Sequence, residues 1–368
     1  MSLSRRSVLR ATAVTSGAAV AAAPAAAAVA APADSTALPP ASELNKGAHL
    51  VLLGTAAGPV PMEGRTGIAS ALIVDGRVYL VDLGHGAFDQ FQKSGLSAAA
   101  LDGVFVTHLH SDHLADLFTL LWLRFGGVDP LTHPLPFYGP GPAGALPAAS
   151  SGQPVATVAP REPTPGLADF VEKSLAASAY DINLRMRDEN WPDIRTRYKV
   201  HEIRVPRVGA SPLGAMAPAM DPFPVMSDEH VKVSAILVAH PPVFPSFAFR
   251  FDTKYGSVTF SGDTTITPNM VTLAKGSDIL VHEAIDLEIV EAAGLTPEQL
   301  QHHKNSHSDV TRIGPEVAQP ARVKKLVLSH LAPGTKEIPD SRWMAQASKG
   351  FNGKVYVGND LMHIPLGG

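Results

Sequence analysis

The chain has 368 residues and no cysteine, which excludes disulfides, thiolate zinc sites and cysteine nucleophiles. Any metal would have to be held by imidazole and carboxylate. The absence leaves the compartment open, because it suits an oxidising periplasm as well as a reducing cytosol. No window offers about 20 uninterrupted apolar residues, so no stable membrane anchor is expected. No short-period tandem repeat is visible, which argues against a solenoid. A basic excess is also missing: 30 Lys and Arg stand against 34 Asp and Glu, a net charge of -4. The first 33 residues carry Arg5, Arg6 and Arg10 and no acid, so the remainder counts 27 basic against 34 acidic residues, or -7. A net-acidic body repels polyanions at long range, which argues against nucleic acid as the partner. What is present is a 45% apolar composition, enough to fill a substantial core.

The N-terminus reads as an address. Ser4-Arg5-Arg6-Ser7-Val8-Leu9-Arg10 resembles the twin-arginine export signal, with valine and arginine where the usual pattern has phenylalanine and lysine. A weakly apolar, alanine-rich stretch follows, and Ala31-Pro32-Ala33 has the small-x-small form of a signal peptidase site. Residues 1–33 are therefore expected to be a signal peptide cleaved near Ala33. The twin-arginine machinery would be a partner, and the mature protein periplasmic or secreted. That route carries proteins already folded, which suits an enzyme that acquires its metal before crossing.

After a lead-in at 34–47, the body from 48 to 368 shows short apolar strands. "HLVLLG", "SALIVD" and "VYLVDLG" are separated by glycines and polar turns. "GVFVTH" is another strand, and "DHLADLFTLLWLRFGG" has helical spacing that stops at a glycine pair. "LPFYGP" follows. Residues 141 to about 230 are rich in proline, alanine and glycine, with a helix candidate at 166–187 and one strand candidate, "YKVHEIRV". This segment reads as an inserted lid. Its Trp191, Met216, Met220, Phe223 and Met226 suit either a roof over a small apolar substrate or packing against the core. Strands resume as "VKVSAILVAH", "SFAFRFDT", "SVTFSGD", "DILVHEA", "KKLVLSH" and "KVYVG", with helices expected at 268–274 and from Ser308. Strands followed by helices in two successive halves predict an α/β sandwich, sheets inside and helices outside.

One string concentrates coordinating chemistry: His108, His110, Asp112 and His113 fall within six positions, directly after an apolar strand. Two histidines two apart on an extended strand end point the same way, so His108 and His110 can share one metal. The turn into the following helix presents Asp112 and His113 in another direction, toward a second ion.

This HxHxDH string after a strand resembles the signature of the metallo-beta-lactamase superfamily. The order of "LLGTAAGPVP", "FYGP", "SGDT" and "HEA" resembles its branch of ribonuclease Z and metal-dependent arylsulfatases. The resemblance covers about 48–140 and 231–363. It implies a four-layer αββα sandwich carrying two divalent metal ions, with zinc first and manganese or iron as alternatives by ligand type. It also implies His240 as the third histidine beside His108 and His110, Asp263 bridging both metals, and His330 joining Asp112 and His113. Such a pair of cations would generate a hydroxide nucleophile at neutral pH, with Asp112 orienting it. His307, in His307-Ser308-Asp309, occupies the place of a catalytic histidine whose loop reads His-Ser-Thr in ribonuclease Z. Here Ser308 or Asp309 could instead cap a helix with His307 merely nearby. His282 and Glu283, from the His-Glu-Ala box, are expected to support ligands or His307 from behind. His85, His133, His302 and His303 receive no role.

The export signal, the acidic body, and nine basic against eleven acidic residues over 141–230 place RNA cleavage second. The leading expectation is an exported dinuclear metal hydrolase of a small anionic ester, either an aryl sulfate or a phosphodiester. A lactonase or beta-lactamase activity is a further alternative, as is a metal-binding protein without turnover. The resemblance also leaves room for a homodimer.

Overall fold

The computed structural model describes residues 38–367; the N-terminal address lies outside them. The described residues form two seven-stranded sheets. The first contains β1 (Ala48–Gly54), β2 (Ala69–Val74), β3 (Arg77–Leu83), β4 (Leu101–Phe105), β5 (Leu135–Pro140), β6 (Tyr198–Ile203) and β14 (Met362–Leu366). The second contains β7 (Phe223–Ser227), β8 (Val231–Leu237), β9 (Phe247–Thr253), β10 (Gly256–Phe260), β11 (Ile279–Ile285), β12 (Lys325–Ala332) and β13 (Lys354–Val357). Their orders are β14-β1-β2-β3-β4-β5-β6 and β13-β12-β11-β10-β9-β8-β7. Each sheet is antiparallel in one half and parallel in the other, the change falling at β3 and at β10.

The side-chain alternation of a strand sorts the core into layers. On β1, Leu50 and Leu52 face the second sheet, while Val51 and Leu53 face the helices on the other side. Between the sheets, Phe105 meets Phe249 at 5.6 Å and Phe251 at 4.9 Å between ring centroids. Helices Ala87–Lys93, Leu117–Arg124 and Leu167–Ala177 cover the outer face of the first sheet, and Pro268–Ala274, Val310–Ile313 and Asp340–Ala347 that of the second. Because both faces of the central strands are buried, those strands read as continuous apolar runs. This is the four-layer sandwich expected from the sequence.

Two strands have no counterpart in the pattern reading, and both are sheet edges: β7 carries Pro224 and β14 carries Pro365. Proline cannot donate to a ladder and is tolerated at an edge, so it hides such a strand from a reading by periodicity. The helix expected over 166–187 is two helices, Leu167–Ala177 and Ala179–Asp188, joined at Ser178. The long helix after the histidine string is also divided, into Ser111–Leu114 and Leu117–Arg124. Within the 141–230 stretch, β6 and β7 extend the edges of the two sheets. Met220, Phe223 and Met226 pack on the inter-sheet core, Trp191 stacks edgewise on Phe125, and Met216 is half-buried. The core-packing reading therefore holds for Met220, Phe223, Met226 and Trp191.

Candidate metal centre

Backbone irregularities aim the site. Along β3, Tyr79 and Val81 face the other sheet while Val78 and Leu80 face the helices. A register shift pairs Ser70 with Val81 but Ala69 with Leu83, leaving Asp82 as an extra residue with φ of 57°. A bulge of this kind turns one side chain out of the alternation. The same device recurs on β12, where Glu283 pairs with Ser329 but Ala284 with Leu331, and His330 between them has φ of 44°. Both Asp82 and His330 are buried in consequence. His108, His110 and the short helix holding Asp112 and His113 follow β4, His240 follows β8, and Asp263 follows β10.

These ends converge. His108, His110, His240 and Asp263 place ligand atoms within 4.8 Å of one another, and so do Asp112, His113, Asp263 and His330. Asp263 belongs to both groups: its Oδ2 lies 3.8 Å from His108 Nε2, 3.8 Å from His240 Nε2 and 3.3 Å from His330 Nε2, while its Oδ1 lies 3.4 Å from His113 Nε2. Asp112 Oδ2 lies 3.3 Å from His330 Nε2 and accepts a hydrogen bond from the Gly58 N–H at 3.0 Å.

The neighbours fix which ring nitrogens face inward. His113 Nδ1 donates to Asp82 Oδ2 at 2.8 Å, and His240 Nδ1 donates to the Ser306 carbonyl at 2.7 Å. Asp82 also accepts from the Thr107 N–H and hydroxyl, each at 2.8 Å. An outer partner of this sort leaves Nε2 as the lone-pair nitrogen and locks the ring. His108 Nε2, His113 Nε2 and Asp263 Oδ1 are buried and have no hydrogen-bond partner. Orphaned buried acceptors are costly and call for an occupant. A set of imidazole and carboxylate atoms gathered in two groups around one shared carboxylate fits two divalent cations, with ligand types that suit zinc.

The electrostatics divide the cluster between charged and neutral members. Burial opposes the charge on Asp263, but His330 and His113 outweigh it and hold the carboxyl well below the usual range. Burial pushes His108 well down, and His240 to about 3. His113 is also opposed by burial, yet Asp263 and Asp82 carry it upward.

His307 stands beside this centre. Its Nδ1 lies 3.1 Å from Glu283 Oε2 and 4.0 Å from Asp263 Oδ2. Despite burial, the Glu283 carboxylate raises the His307 ring to about 9. Glu283 is itself buried and accepts from the Thr264 N–H at 2.7 Å. Asp309 caps helix Val310–Ile313 by accepting from the Thr311 N–H at 2.8 Å, so a cap and a site-facing His307 coexist in one loop. The ring of His282 turns away to donate to the Glu283 carbonyl at 2.7 Å, and it is absent from both ligand groups. His85 is exposed, and His133 donates to the Leu101 carbonyl.

Asp82, Thr107, Gly58 and Ser306 escaped the sequence reading. Only Asp82 leaves a trace there, as an acid closing the apolar run "VYLVDLG"; its role depends on a bulge that no residue pattern announces.

The sequence pattern of the metallo-beta-lactamase superfamily matches residues 64–308. Ribonuclease Z from Mycobacterium bovis (strain BCG / Pasteur 1173P2) is 30% identical over 321 residues, covering 86% of this chain and 98% of that protein. Ribonuclease Z from Mycobacterium avium (strain 104) matches at the same identity and coverage. Among solved structures, the short form of human tRNase Z aligns with a TM-score of 0.56 at 24% identity, covering 86% of this chain and 99% of that one. The Bacillus subtilis metallo-beta-lactamase fold protein YhfI aligns at 0.55 and 16% identity, covering 86% and 98%. The chain belongs to the metallo-beta-lactamase superfamily. That membership makes it a metal-dependent hydrolase.

Proposed function

We propose that the protein is a ribonuclease Z-like phosphodiesterase, with RNA the first substrate to test. The observation that carries this is the pair of ligand groups sharing Asp263, with His307 and Glu283 at their side, in a chain whose 30%-identical relatives are ribonuclease Z over nearly their whole length. The relatives reverse the order expected from composition. The phosphodiester now stands first, and the aryl sulfate, lactone and beta-lactam readings have no support among the compared proteins.

His108, His110, His240 and Asp263 would hold one divalent cation and Asp112, His113, Asp263 and His330 the other, most simply zinc. When bound, the pair supplies Lewis acidity toward the ester oxygens and a nucleophile at neutral pH. The chain supplies orientation. Asp82 and the Ser306 carbonyl hold His113 and His240 in the right tautomer, and the Gly58 N–H fixes Asp112. His307, kept protonated by Glu283, would give a proton from Nε2 to the departing oxygen, general-acid help worth about 10²–10⁴-fold.

The test is turnover by the metal-loaded protein of three probes: RNA with an unpaired 3′ extension, bis(4-nitrophenyl) phosphate and 4-nitrophenyl sulfate. Cleavage of the phosphate esters with an inert sulfate is expected; a preference for the sulfate would refute the reading. Export by the twin-arginine route is proposed from residues 4–10 alone. It is checked by whether replacing Arg5 and Arg6 with lysine retains the full-length chain inside the cell. A homodimer is likewise a proposal, checked by sedimentation.

A further inference from the structure

A cleft of about 1630 Å³ opens beside the metal centre, larger than the roughly 300–1,000 Å³ of ordinary small-molecule pockets. Its inner wall neighbours the site: Leu109 lies between His108 and His110 in the chain, Pro241 follows His240, and Ser306, whose carbonyl accepts from His240 Nδ1, precedes His307. Its outer wall comes from the irregular segment 143–166, where Leu146, Val155 and Val158 remain 52%, 66% and 92% exposed. Side chains of that size left open to solvent along one wall of a cleft are the kind of surface that a ligand covers.

The charge of the cleft is as telling as its apolarity. Among the described residues, its lining contains no lysine or arginine, and its one carboxylate is Glu298. The only base of the outer segment, Arg161, is exposed and is not part of the lining. A groove that tracks a phosphate backbone neutralises it with Lys and Arg. Here one wall is polar, with Gln299, Gln301, His302, His303 and Asn305 beside Glu298, and the facing wall from 143–166 is largely apolar, so phosphates laid against that apolar wall would lose hydration without return. The group that lies against the 143–166 wall is therefore a neutral one.

We infer that this cleft is a subsite for a neutral aromatic or apolar group esterified to the scissile phosphate, so that recognition beside the reacting bond is by apolar contact and not by backbone charge. The inference rests on the phosphodiesterase reading and narrows it. Two sources share that chemistry, an unpaired terminal nucleobase of an RNA and the aryl or alkyl group of a small diester.

The experiment uses 4-nitrophenyl phosphodiesters with one leaving group and a second ester of methyl, phenyl or 1-naphthyl, together with an RNA oligonucleotide bearing an unpaired 3′ end. Wild type is compared with the Leu146→Lys/Val155→Lys and Leu146→Ala/Val155→Ala doubles; both positions are exposed, so folding is not at issue. Wild type should favour naphthyl over methyl by about tenfold or more in kcat/KM, chiefly through KM, and both doubles should bring the ratio toward one. RNA cleavage that falls in parallel in the doubles identifies the occupant as a base; inert RNA identifies a small aryl diester. Equal kcat/KM across the esters, a ratio unchanged in the doubles, or RNA cleavage that rises in the lysine double would overturn the inference. Should no diester be hydrolysed, the phosphodiesterase reading falls. Calorimetric binding of 1-naphthyl and methyl esters of methylphosphonate then decides the subsite by itself, where equal affinities would overturn it.

Discussion

Replacing Asp82 by Asn should weaken one half of the metal centre selectively. Asp82 accepts three hydrogen bonds, from the Thr107 N–H, the Thr107 hydroxyl and His113 Nδ1, each at 2.8 Å. Asparagine tolerates the left-handed backbone that the bulge imposes, so the main chain is not put under new strain. It keeps one acceptor oxygen and turns an NH₂ toward a former donor. One buried donor is thereby orphaned, at a cost of about 1–3 kcal/mol in stability. The larger consequence falls on His113, whose ring loses the carboxylate that fixes its tautomer, and loss of such a partner lowers metal affinity about 10–100-fold. The Asp112–His113–Asp263–His330 group should weaken by that factor, while the His108–His110–His240–Asp263 group, which does not include His113, should change far less. Chelator competition with metal counting resolves two binding steps and reads both. Equal weakening of both steps, or of neither, would refute the reasoning, because a merely structural loss would not choose between them.

Other perturbations follow from the same geometry. Asp263→Ala removes the carboxylate shared by both groups, and the protein should retain at most one metal per chain and lose turnover; two metals by elemental analysis would contradict a bridging role. His307→Gln should lower kcat by about 10²–10⁴-fold with metal content unchanged, measured on any turned-over diester. Phe105→Ala empties a fully buried position between the sheets and should cost about 3–5 kcal/mol in urea unfolding. His363, burdened by burial and by the adjacent His49, is pushed down to about 4. Its unfolded form binds a proton more readily, so stability is full above about pH 6.5 and declines as pH falls toward 4. The loss is about 1–2 kcal/mol after allowance for solvent screening, and it should be absent in His363→Gln melts.

How legible the molecule was in its sequence depends on how local each cause is. Strands buried on both faces announce themselves as apolar runs, and β1, β2, β3 and β12 stood out for that reason. The HxHxDH string was legible because a strand end and a helical turn bring all four side chains together within six residues. His240, Asp263 and His330 were placed by resemblance to a family, since nothing near each of them distinguishes a ligand from an ordinary polar residue. Asp82 stayed hidden because a bulge, not a residue type, turns it inward. A wall of this kind was sought among Trp191, Met216, Met220, Phe223 and Met226, most of which pack partly buried against the core, whereas segment 143–166 supplies one. A stretch of Ala, Pro, Gly and Val with no periodicity gives no sign of which of its apolar side chains will stay uncovered.

The origin of the ligands has a mechanical consequence. His108, His110, Asp112 and His113 follow a strand of the first sheet, whereas His240, Asp263 and His330 belong to the second. Each ligand group draws on both. The centre is therefore a clasp at the rim of the sandwich, joining two layers that elsewhere meet through an apolar core and a few polar contacts such as Tyr79 hydroxyl to Asp228. Cation availability then acts as a dial on cohesion: each ion that favours the closed sandwich over the unfolded chain deepens stability by mass action. Starvation for metal would loosen the rim first, silencing the protein and exposing it to proteolysis through one and the same event.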